Sequence, residues 1–421
     1  MPLRLSETDQ RMLDGEMGEA ARMALSVIAR MAAVYEADEL MDVTQAHIDG
    51  CGLLSEAGLQ FAETLAAQGA RVRIPTTLNM GPLDLQHWRD FGIDEDFAAK
   101  ATRQGMAYEA MGCVPTWSCA PYQGYLTPRF GQQIAWGESN AVVYANSVLG
   151  ARTNRYGDYI DICAAITGRV PRCGLHLTAN RAGQVLIRLA GFDEALLARD
   201  EFYPALGHLI GPLVGEAVPV IEGLPAAATG DQLKAFGAAA ASAGAVALFH
   251  AVGVTPEAPT REAAFQGRQP SRTVDLTPAD WQAAWEDLSS AADGEPIEMV
   301  LLGCPHFSFE EFRRLVEAAR AQAGRAVHQN VTLLVHTCTT SHALVERTGW
   351  LDELARFGAK VTLDTCPFHT PVVPPETKAI MTDSGKCAYY APPELGVRVA
   401  FGSLEDCVLS AVEGRVTRRA R

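Results

Sequence analysis

Met299-Val-Leu-Leu-Gly-Cys-Pro-His306 begins the most regular part of the chain. Its four apolar residues predict a buried strand, and the glycine and proline that follow predict where this strand ends. Apolar residues at helical spacing then predict a helix over about residues 309–323. Strand, loop and helix follow one another directly, which is typical of parallel α/β architecture.

The same order of elements recurs twice further along the chain. Residues 331–335 predict a second strand, which is followed by Cys338 and a further helix. Residues 361–363 predict a third strand, which is followed by Cys366. Ligands of parallel sheets bind beyond the carboxyl ends of the strands, so these two cysteines and Cys304 are expected at that edge.

Weaker patterns describe the rest of the chain. Ser6 is a predicted N-cap, and two glycines after the first helix predict a break before a second one. Residues 70–74 and 185–189 have the composition of strands. Residues 255–298 are rich in proline, charge and small residues, so we expect a surface excursion there.

Composition excludes several classes of protein. The 421 residues carry a formal net charge of −15 and no basic stripe, which argues against a nucleic-acid partner. The ten cysteines lack the short regular spacing of a disulfide framework. The longest apolar stretch, residues 237–254, is mostly alanine and glycine, and we expect a helix leading into a strand rather than a membrane span. We therefore predict a cytoplasmic protein with reduced thiols, no membrane segment and no nucleic-acid partner.

Three cysteines stand close to a proline in predicted loops: Cys119, Cys304 and Cys366. Cys163 and Cys407 differ because aliphatic residues flank them, which favours a place in the core. Three thiolates from distant segments can hold an iron centre and leave one iron position free for a substrate hydroxyl.

Other interpretations of these thiols stay open. Cys338 is a rival for the third ligand position. Structural zinc usually takes four ligands with closely paired cysteines, and that pairing is absent from the sequence. A nucleophilic cysteine is a further alternative, although Cys304 and His306 are too close in sequence to define a dyad by themselves.

Polar residues interrupt the apolar sequence that follows Cys119. Buried amides and hydroxyls are costly unless they are hydrogen-bonded, so they either bond internally or contact a substrate. Arginine binds carboxylates through two parallel hydrogen bonds, although a solvated surface position is the alternative. Lys386 lies in a predicted flexible polar loop that could close on an anion. The candidates before residue 170 are Thr77, Asn79, Glu138, Ser139, Asn140, Asn146, Ser147, Arg152 and Arg169; His47, His250 and His306 are candidate acid–base or orienting groups.

In order along the chain, these motifs resemble those of the aconitase X family. The resemblance extends from Gly15-Glu-Met-Gly-Glu19 to Phe401-Gly-Ser403 and so covers nearly the whole sequence. The motifs between these ends are Ile74-Pro-Thr-Thr-Leu-Asn79, Cys119-Ala-Pro-Tyr122, Trp136-Gly-Glu-Ser-Asn-Ala-Val142, Tyr144-Ala-Asn-Ser-Val-Leu-Gly-Ala-Arg152, Ala165-Ile-Thr-Gly-Arg169, Thr255-Pro-Glu257, Leu302-Gly-Cys-Pro-His306 and the Lys386 loop.

The resemblance implies a fold and a metal centre. The fold is an aconitase-like catalytic region over residues 1–421, with several α/β lobes and parallel sheets around a central cleft; lobes of about 1–235 and 236–421 are possible. The cofactor implied is a [2Fe-2S] or [4Fe-4S] iron–sulfur cluster, or mononuclear iron, with Cys119, Cys304 and Cys366 as ligands. Lys386, Arg152 and Glu138 are the expected catalytic residues, and the remaining polar candidates together with His306 are expected to bind substrate.

The implied activity is that of a hydro-lyase acting on a small hydroxy acid. Family members dehydrate cis-3-hydroxy-L-proline to Δ1-pyrroline-2-carboxylate, which we expect here, or mevalonate 5-phosphate. No small swivel domain is recognisable in the sequence, so a separate small subunit is expected to supply a serine base, and the chain alone should be weak or inactive. A non-catalytic scaffold or regulatory subunit is the alternative from another class.

Overall fold

A computed structural model describes residues 3–81 and 83–419. The chain divides into two compact units, which we call unit 1 (Met1–Ala182) and unit 2 (Gly183–Arg421). The lobe boundary expected near residue 235 is wrong, because that position falls inside the helix Gly230–Ala243 of unit 2. The family-level expectation of parallel α/β layers is confirmed in both units.

Unit 1 contains a three-stranded parallel sheet in the order β3-β2-β4 and a two-stranded antiparallel pair, β1-β5. Its first helix begins at a capping box: Ser6 accepts a hydrogen bond from the Asp9 amide at 3.1 Å, and the Asp9 carboxylate accepts one from the Ser6 amide at 2.9 Å. The predicted N-cap and the break between the first two helices are confirmed. The elements are α1 (Glu7–Leu13), α2 (Glu19–Val34), β1 (Leu40–Asp42), β2 (Ala46–Ile48), α3 (Glu56–Ala67), β3 (Thr76–Leu78), α4 (Glu95–Ala110), β4 (Ala135–Trp136), α5 (Ser139–Ser147), α6 (Ile160–Thr167) and β5 (Arg169–Pro171).

Unit 2 contains a four-stranded parallel sheet, β8-β7-β6-β9, and a five-stranded parallel sheet, β12-β11-β10-β13-β14. The three strands predicted after residue 298 lie side by side at the centre and one edge of the larger sheet. The elements are β6 (Val185–Leu189), α7 (Glu194–Leu197), α8 (Phe202–Val214), β7 (Pro219–Glu222), α9 (Gly230–Ala243), β8 (His250–Ala251), α10 (Arg261–Ala264), β9 (Arg272–Leu276), α11 (Pro278–Asp287), β10 (Met299–Leu302), α12 (Phe309–Arg320), β11 (Thr332–Thr337), α13 (Thr339–Glu346), α14 (Trp350–Phe357), β12 (Ala359–Leu363), β13 (Ala379–Thr382), α15 (Gly385–Leu395), β14 (Arg398–Phe401) and α16 (Leu404–Glu413).

Helices α8 and α9 pack with their backbones in close approach. A methyl group at Gly207 would overlap the carbonyl oxygen of Phe236 and lie 3.0 Å from the Ala239 Cβ. One at Gly211 would lie 2.9 Å from the Ala240 oxygen. The alanines and glycines of residues 237–254 therefore serve this contact, and the predicted helix followed by a strand is confirmed.

Two local predictions are wrong. Residues 70–74 form no strand; the strand begins at Thr76, because Val72 and Arg73 donate their amides to Met111 and Ala165 instead of to a ladder. Residues 255–298 are not a mere surface excursion. They contain β9, which pairs with β6 over five residues, and α11, whose Trp281 and Trp285 are buried.

Within the part of the chain that the structure describes, no helix has the length and apolar character that crossing a membrane requires.

Candidate functional site

Unit 1 presents an acceptor-bearing residue within two positions of the end of each of its three parallel strands: Asp49, Asn79 and Glu138. The ladder continues just past the strands, because the Asn79 amide donates to Ile48 O at 2.9 Å and the Gly137 amide donates to His47 O at 3.0 Å. The carboxyl edge of this sheet is therefore polar, as expected for a ligand site of an α/β fold.

Asp49 is fixed in place from several sides. Its amide donates to the buried Asp161 carboxylate at 2.6 Å, and its own carboxylate accepts a hydrogen bond from the Asn79 side-chain amide. Gly137 permits this approach, because a Cβ there would lie 2.7 Å from Asp161 Oδ2 and 2.9 Å from the Asp49 Cβ. Burial raises the pKa of Asp161 to about 7, although the backbone amides of Asp49 and Ile162 oppose the increase.

His47 lies one step earlier on β2 and is fully buried. Its Nδ1 is 2.8 Å from the Thr77 hydroxyl, and its ring lies 5.6 Å from that of Trp136. Burial lowers the pKa of His47 to about 4, against the opposing charge of Glu138. His47 is therefore neutral near pH 7, and Thr77, a predicted substrate contact, orients its ring.

Glu138 is the N-cap of α5. Its carboxylate accepts from the Ala141 amide at 2.6 Å and from the Ser139 hydroxyl at 3.2 Å. The charge thus lies at the positive end of the helix dipole, where a carboxylate is stabilised. Ser139 is half-buried beside it.

Cys119 lies next to this helix start. Asn140, in the first turn of α5, donates its side-chain amide to the Cys119 carbonyl at 3.0 Å and to the Tyr122 hydroxyl at 3.1 Å. Tyr122 stacks on Tyr144 with ring centroids 3.7 Å apart. The backbone of the half-buried Cys119 is therefore held by Asn140 next to the N-terminus of α5, which Glu138 caps.

Three other predicted site residues, Asn146, Ser147 and Arg152, lie within unit 1 and contact its other residues. Asn146 exchanges two hydrogen bonds with the Thr153 backbone, at 2.9 and 3.0 Å, and accepts one from the buried Arg181. Ser147 is buried at the end of α5. The Arg152 guanidinium donates to the Thr178 hydroxyl at 2.7 Å.

Arg169 lies away from the carboxyl edge of the parallel sheet. It pairs with Asp42 in the β1-β5 ladder, which precedes the amino end of β2. Its guanidinium makes two hydrogen bonds of 2.9 Å to the buried Asp9 and one of 2.6 Å to Asp42. This geometry anchors the N-terminal helix to the β1-β5 pair.

In unit 2, Cys304 and Cys366 lie in loops that follow β10 and β12, the two strands that flank β11 in the larger parallel sheet. Gly303 has a φ of +86°, and a side chain there would overlap the His336 carbonyl, so the turn before Cys304 requires glycine. The His306 Nε2 lies 2.7 Å from the Thr365 carbonyl oxygen and so joins the two cysteine loops.

A third thiol of unit 2, Cys387, lies near these two. Burial raises the pKa of Cys387 well above its ordinary value, and the neighbouring Cys304 and Cys366 raise it further, while Thr382 opposes the increase. Ser384 joins the segments, because its hydroxyl donates to the Cys304 carbonyl and accepts from the Cys387 amide at 3.0 Å. Cys338, the rival ligand, is instead buried and lies 3.4 Å from the Ser341 hydroxyl.

Lys386 is not in a flexible loop, contrary to the expectation from sequence. It lies in the first turn of α15, because Ser384 caps that helix. The half-buried lysine therefore has a position fixed by the helix start.

An open cleft of about 650 Å³ in unit 2 has Cys304 on its wall. Lys234 is only 2% exposed there and places its ammonium 2.5 Å from Glu311, 3.3 Å from Asp231 and 3.4 Å from the His306 carbonyl. Burial lowers the pKa of Lys234, but the charges of Glu311 and Asp231 outweigh this effect and hold it above its ordinary value. Asp383 also lines the cleft, and burial raises its pKa to about 6.

Among residues 3–81 and 83–419, no group of three or more histidine, cysteine, aspartate or glutamate side chains is arranged to hold a metal ion. Half-buried thiols are suitable iron ligands, and two of the predicted three lie near each other in unit 2. The full ligand set stays a prediction.

Comparison with known families accounts for nearly the whole chain. Residues 2–179 match the aconitase X first domain, 183–286 the second domain and 297–413 the third domain. The chain belongs to the aconitase X family. The resemblance that the motifs indicated is therefore confirmed.

Members of aconitase X with different named activities are similar to this chain. A cis-3-hydroxy-L-proline dehydratase of Pseudomonas aeruginosa is 45% identical over 98% of this chain and 70% of its own length. One of Hypocrea jecorina is 43% identical over 98% of this chain and 69% of its length. A phosphomevalonate dehydratase large subunit of Methanothermobacter thermautotrophicus is 38% identical over 94% of this chain and 96% of its length.

The fold is also that of a solved aconitase X. The crystal structure of Thermococcus kodakaraensis aconitase X in its holo-form superposes with a TM-score of 0.88 at 30% identity, and it covers 97% of this chain and 100% of that one.

Sequence reasoning missed several residues of this aconitase X chain that the geometry brings forward. Asp49 follows β2, but the short Ala46–Ile48 strand gives too little pattern to reveal its carboxyl end. Lys234 is a lone lysine among Leu233, Ala235 and Phe236, a context that could have signalled a buried charge. Cys387 follows a strand end by only a few residues, as the predicted cysteines do.

Proposed function

We propose that this chain is the catalytic part of a hydro-lyase that converts cis-3-hydroxy-L-proline to Δ1-pyrroline-2-carboxylate. The observation that carries the proposal is its 43–45% identity, over 98% of the chain, to two proteins named as dehydratases of that substrate. Identity to the phosphomevalonate dehydratase large subunits is 32–38%. In the reaction the α-carbon loses a proton and the neighbouring carbon loses hydroxide, so water leaves and a C2=C3 double bond forms. A proton then moves from the ring nitrogen to C3, which converts this enamine to the Δ1 imine.

Iron or an iron–sulfur cluster held by Cys119, Cys304 and Cys366 would supply a Lewis acid for the departing hydroxyl. The half-buried state of all three thiols supports this assignment, as does the proximity of Cys304 and Cys366 to the same neighbour, Cys387. His306 would hold the Cys304 loop against the Cys366 loop through its contact with the Thr365 carbonyl oxygen.

The residues proposed to bind substrate have unequal support. Glu138, Ser139 and Asn140 lie beside Cys119, and Thr77 orients His47 there. Lys386 and Arg152 are proposed to hold the substrate carboxylate, since both are half-buried cations. Arg169 and Asn146 are proposed to act less directly, because their contacts are with Asp9, Asp42, Thr153 and Arg181.

We further propose a small aconitase X subunit or domain as the source of a serine base. Relatives from several archaea are named large subunits, which supports a two-part enzyme. The region shared with this chain is 69–70% of the length of the two cis-3-hydroxy-L-proline dehydratases, so those proteins extend beyond it. The base would remove the α-proton while residues of this chain hold the ring.

The test is anaerobic purification with a small partner, followed by iron analysis, visible absorption and an assay of water loss from cis-3-hydroxy-L-proline. Iron together with turnover is expected. Replacing Cys119, Cys304 or Cys366 by alanine should abolish both the iron and the activity, whereas the control Cys338→Ala should keep them. Turnover of mevalonate 5-phosphate alone would refute the substrate, and iron-free protein would refute the metal centre.

A further inference from the structure

Asp49 and Asn79 form a polar pair with an unmatched acceptor. The Asn79 side chain is 2% exposed and gives its amide hydrogen to the Asp49 carboxylate. Within the described part of the chain, its carbonyl oxygen, Oδ1, meets no hydrogen-bond donor. A buried acceptor without a donor is unfavourable, so the site is incomplete until a ligand supplies an N–H or O–H.

The pair is built rigidly. Asp161 accepts the Asp49 amide at 2.6 Å, and Gly137 lacks the side chain that would displace Asp49. Asn79 is held by its own amide, which donates to Ile48 O at 2.9 Å. A second polar atom that meets no partner among residues 3–81 and 83–419, Nε2 of the fully buried His47, lies two residues before Asp49. Two buried polar atoms at this end of β2 therefore await a partner.

The pair also adjoins the candidate metal ligand of unit 1. The Ser118 amide donates to Leu78 O at 3.2 Å, so the residues before Cys119 and before Asn79 are hydrogen-bonded neighbours. A small molecule that contacts Asp49 and Asn79 would therefore lie beside the Cys119 loop.

We propose that Asp49 and Asn79 form a subsite for the ammonium group of an amino-acid substrate. This inference rests on the proposed function and names the group that this substrate presents. The ring nitrogen of a protonated hydroxyproline carries one positive charge and two N–H donors, which match one carboxylate and one amide oxygen. Mevalonate 5-phosphate has only anionic and hydroxyl groups, so the Asp49 charge would disfavour it. The subsite therefore selects amino acids over phosphorylated hydroxy acids.

The test compares two ligands of similar shape on the iron-loaded enzyme with its small partner. L-Proline has the ring ammonium, whereas (S)-tetrahydrofuran-2-carboxylate has a neutral ring oxygen in its place. Asp49→Asn, which keeps an oxygen for Asn79, should weaken L-proline binding about 10- to 100-fold, the range for one charged hydrogen bond. Binding of the oxygen analogue should change less than about 3-fold, and the exposed Asp90→Asn should leave both unchanged.

A second variant keeps the test valid if Asp49→Asn folds poorly. Asn79→Ser replaces the amide by a shorter hydroxyl group and should also weaken the binding of L-proline selectively. An equal loss for both ligands, or no loss, would overturn the subsite while leaving hydroxyproline turnover by the wild type intact. A wild type that turns over mevalonate 5-phosphate and binds neither ring acid would overturn the proposed function and the subsite together.

Discussion

Lys234→Met is expected to destabilise unit 2 strongly, because it leaves two half-buried carboxylates without their fully buried cation. Methionine has nearly the length of the lysine stem, so the packing is kept and the charge is removed. The Nζ atom lies 2.5 Å from Glu311 and 3.3 Å from Asp231, whose side chains are 15% and 17% exposed. Breaking a buried pair of this kind costs about 3–5 kcal/mol of unfolding free energy.

The cost should depend on pH in a defined direction. Burial and the Asp231 charge raise the pKa of Glu311 to about 8, whereas Lys234 lowers it. Without Lys234 this pKa rises further, so Glu311 is neutral at pH 6 with or without Lys234. At pH 9 the wild-type carboxylate is ionised beside its cation, whereas in the variant ionisation is opposed. The variant should therefore lose at least about 1 kcal/mol less at pH 6 than at pH 9.

Urea unfolding at pH 6 and pH 9, followed by circular dichroism, measures both effects. Lys360→Met is the control, since Lys360 is an exposed lysine of unit 2 and its replacement should change the unfolding free energy by less than about 0.5 kcal/mol. A cost at pH 9 no larger than that of the control would refute the reasoning. A larger loss of unfolding free energy at pH 6 than at pH 9 would refute the explanation through protonation of Glu311.

Two further predictions concern stability. As pH rises from about 4 to 7, the free energy of unfolding should fall by up to about 4 kcal/mol through Asp161, because the folded carboxyl, with its pKa near 7, keeps a proton that the unfolded one has lost. Urea unfolding measured across this range should show a flatter dependence on pH for Asp161→Asn. An unchanged pH dependence in that variant would contradict the assignment. Gly207→Ala should lower the free energy of unfolding by at least about 2 kcal/mol, because the added methyl group overlaps the Phe236 carbonyl oxygen. Gly157→Ala is the control and should change it little, since a methyl group there meets open space. Equal thermal midpoints for the two variants would contradict the close packing of α8 and α9.

The larger sheet of unit 2 was predictable because its strands are short apolar runs with a clear loop and helix after each. Residues 299–302 and 361–363 needed no long-range information. Residues 70–74 have equally suitable composition but form no strand, because their amides bond to Met111 and Ala165, contacts that only tertiary structure supplies. The local sequence pattern therefore identifies a strand where strand, loop and helix follow one another in regular order.

The candidate site was only partly predictable for the same reason. The cysteines before proline stood out by type, and Glu138 and Asn140 by their polarity within an apolar run. Asp49 could not be found, since its importance comes from contacts with Asp161 and Asn79, 112 and 30 residues away in sequence. Arg169 looked equally suited to a substrate carboxylate, yet Asp9 and Asp42 bind it.

The Ser384 hydroxyl bonds at once to the Cys304 carbonyl and to the Cys387 amide. The first turn of α15 and the Cys304 loop should consequently open as one cooperative event, not as two independent fluctuations. In deuterium exchange, the amides of both segments should share one opening free energy. Ser384→Ala should divide them into two populations that exchange at different rates.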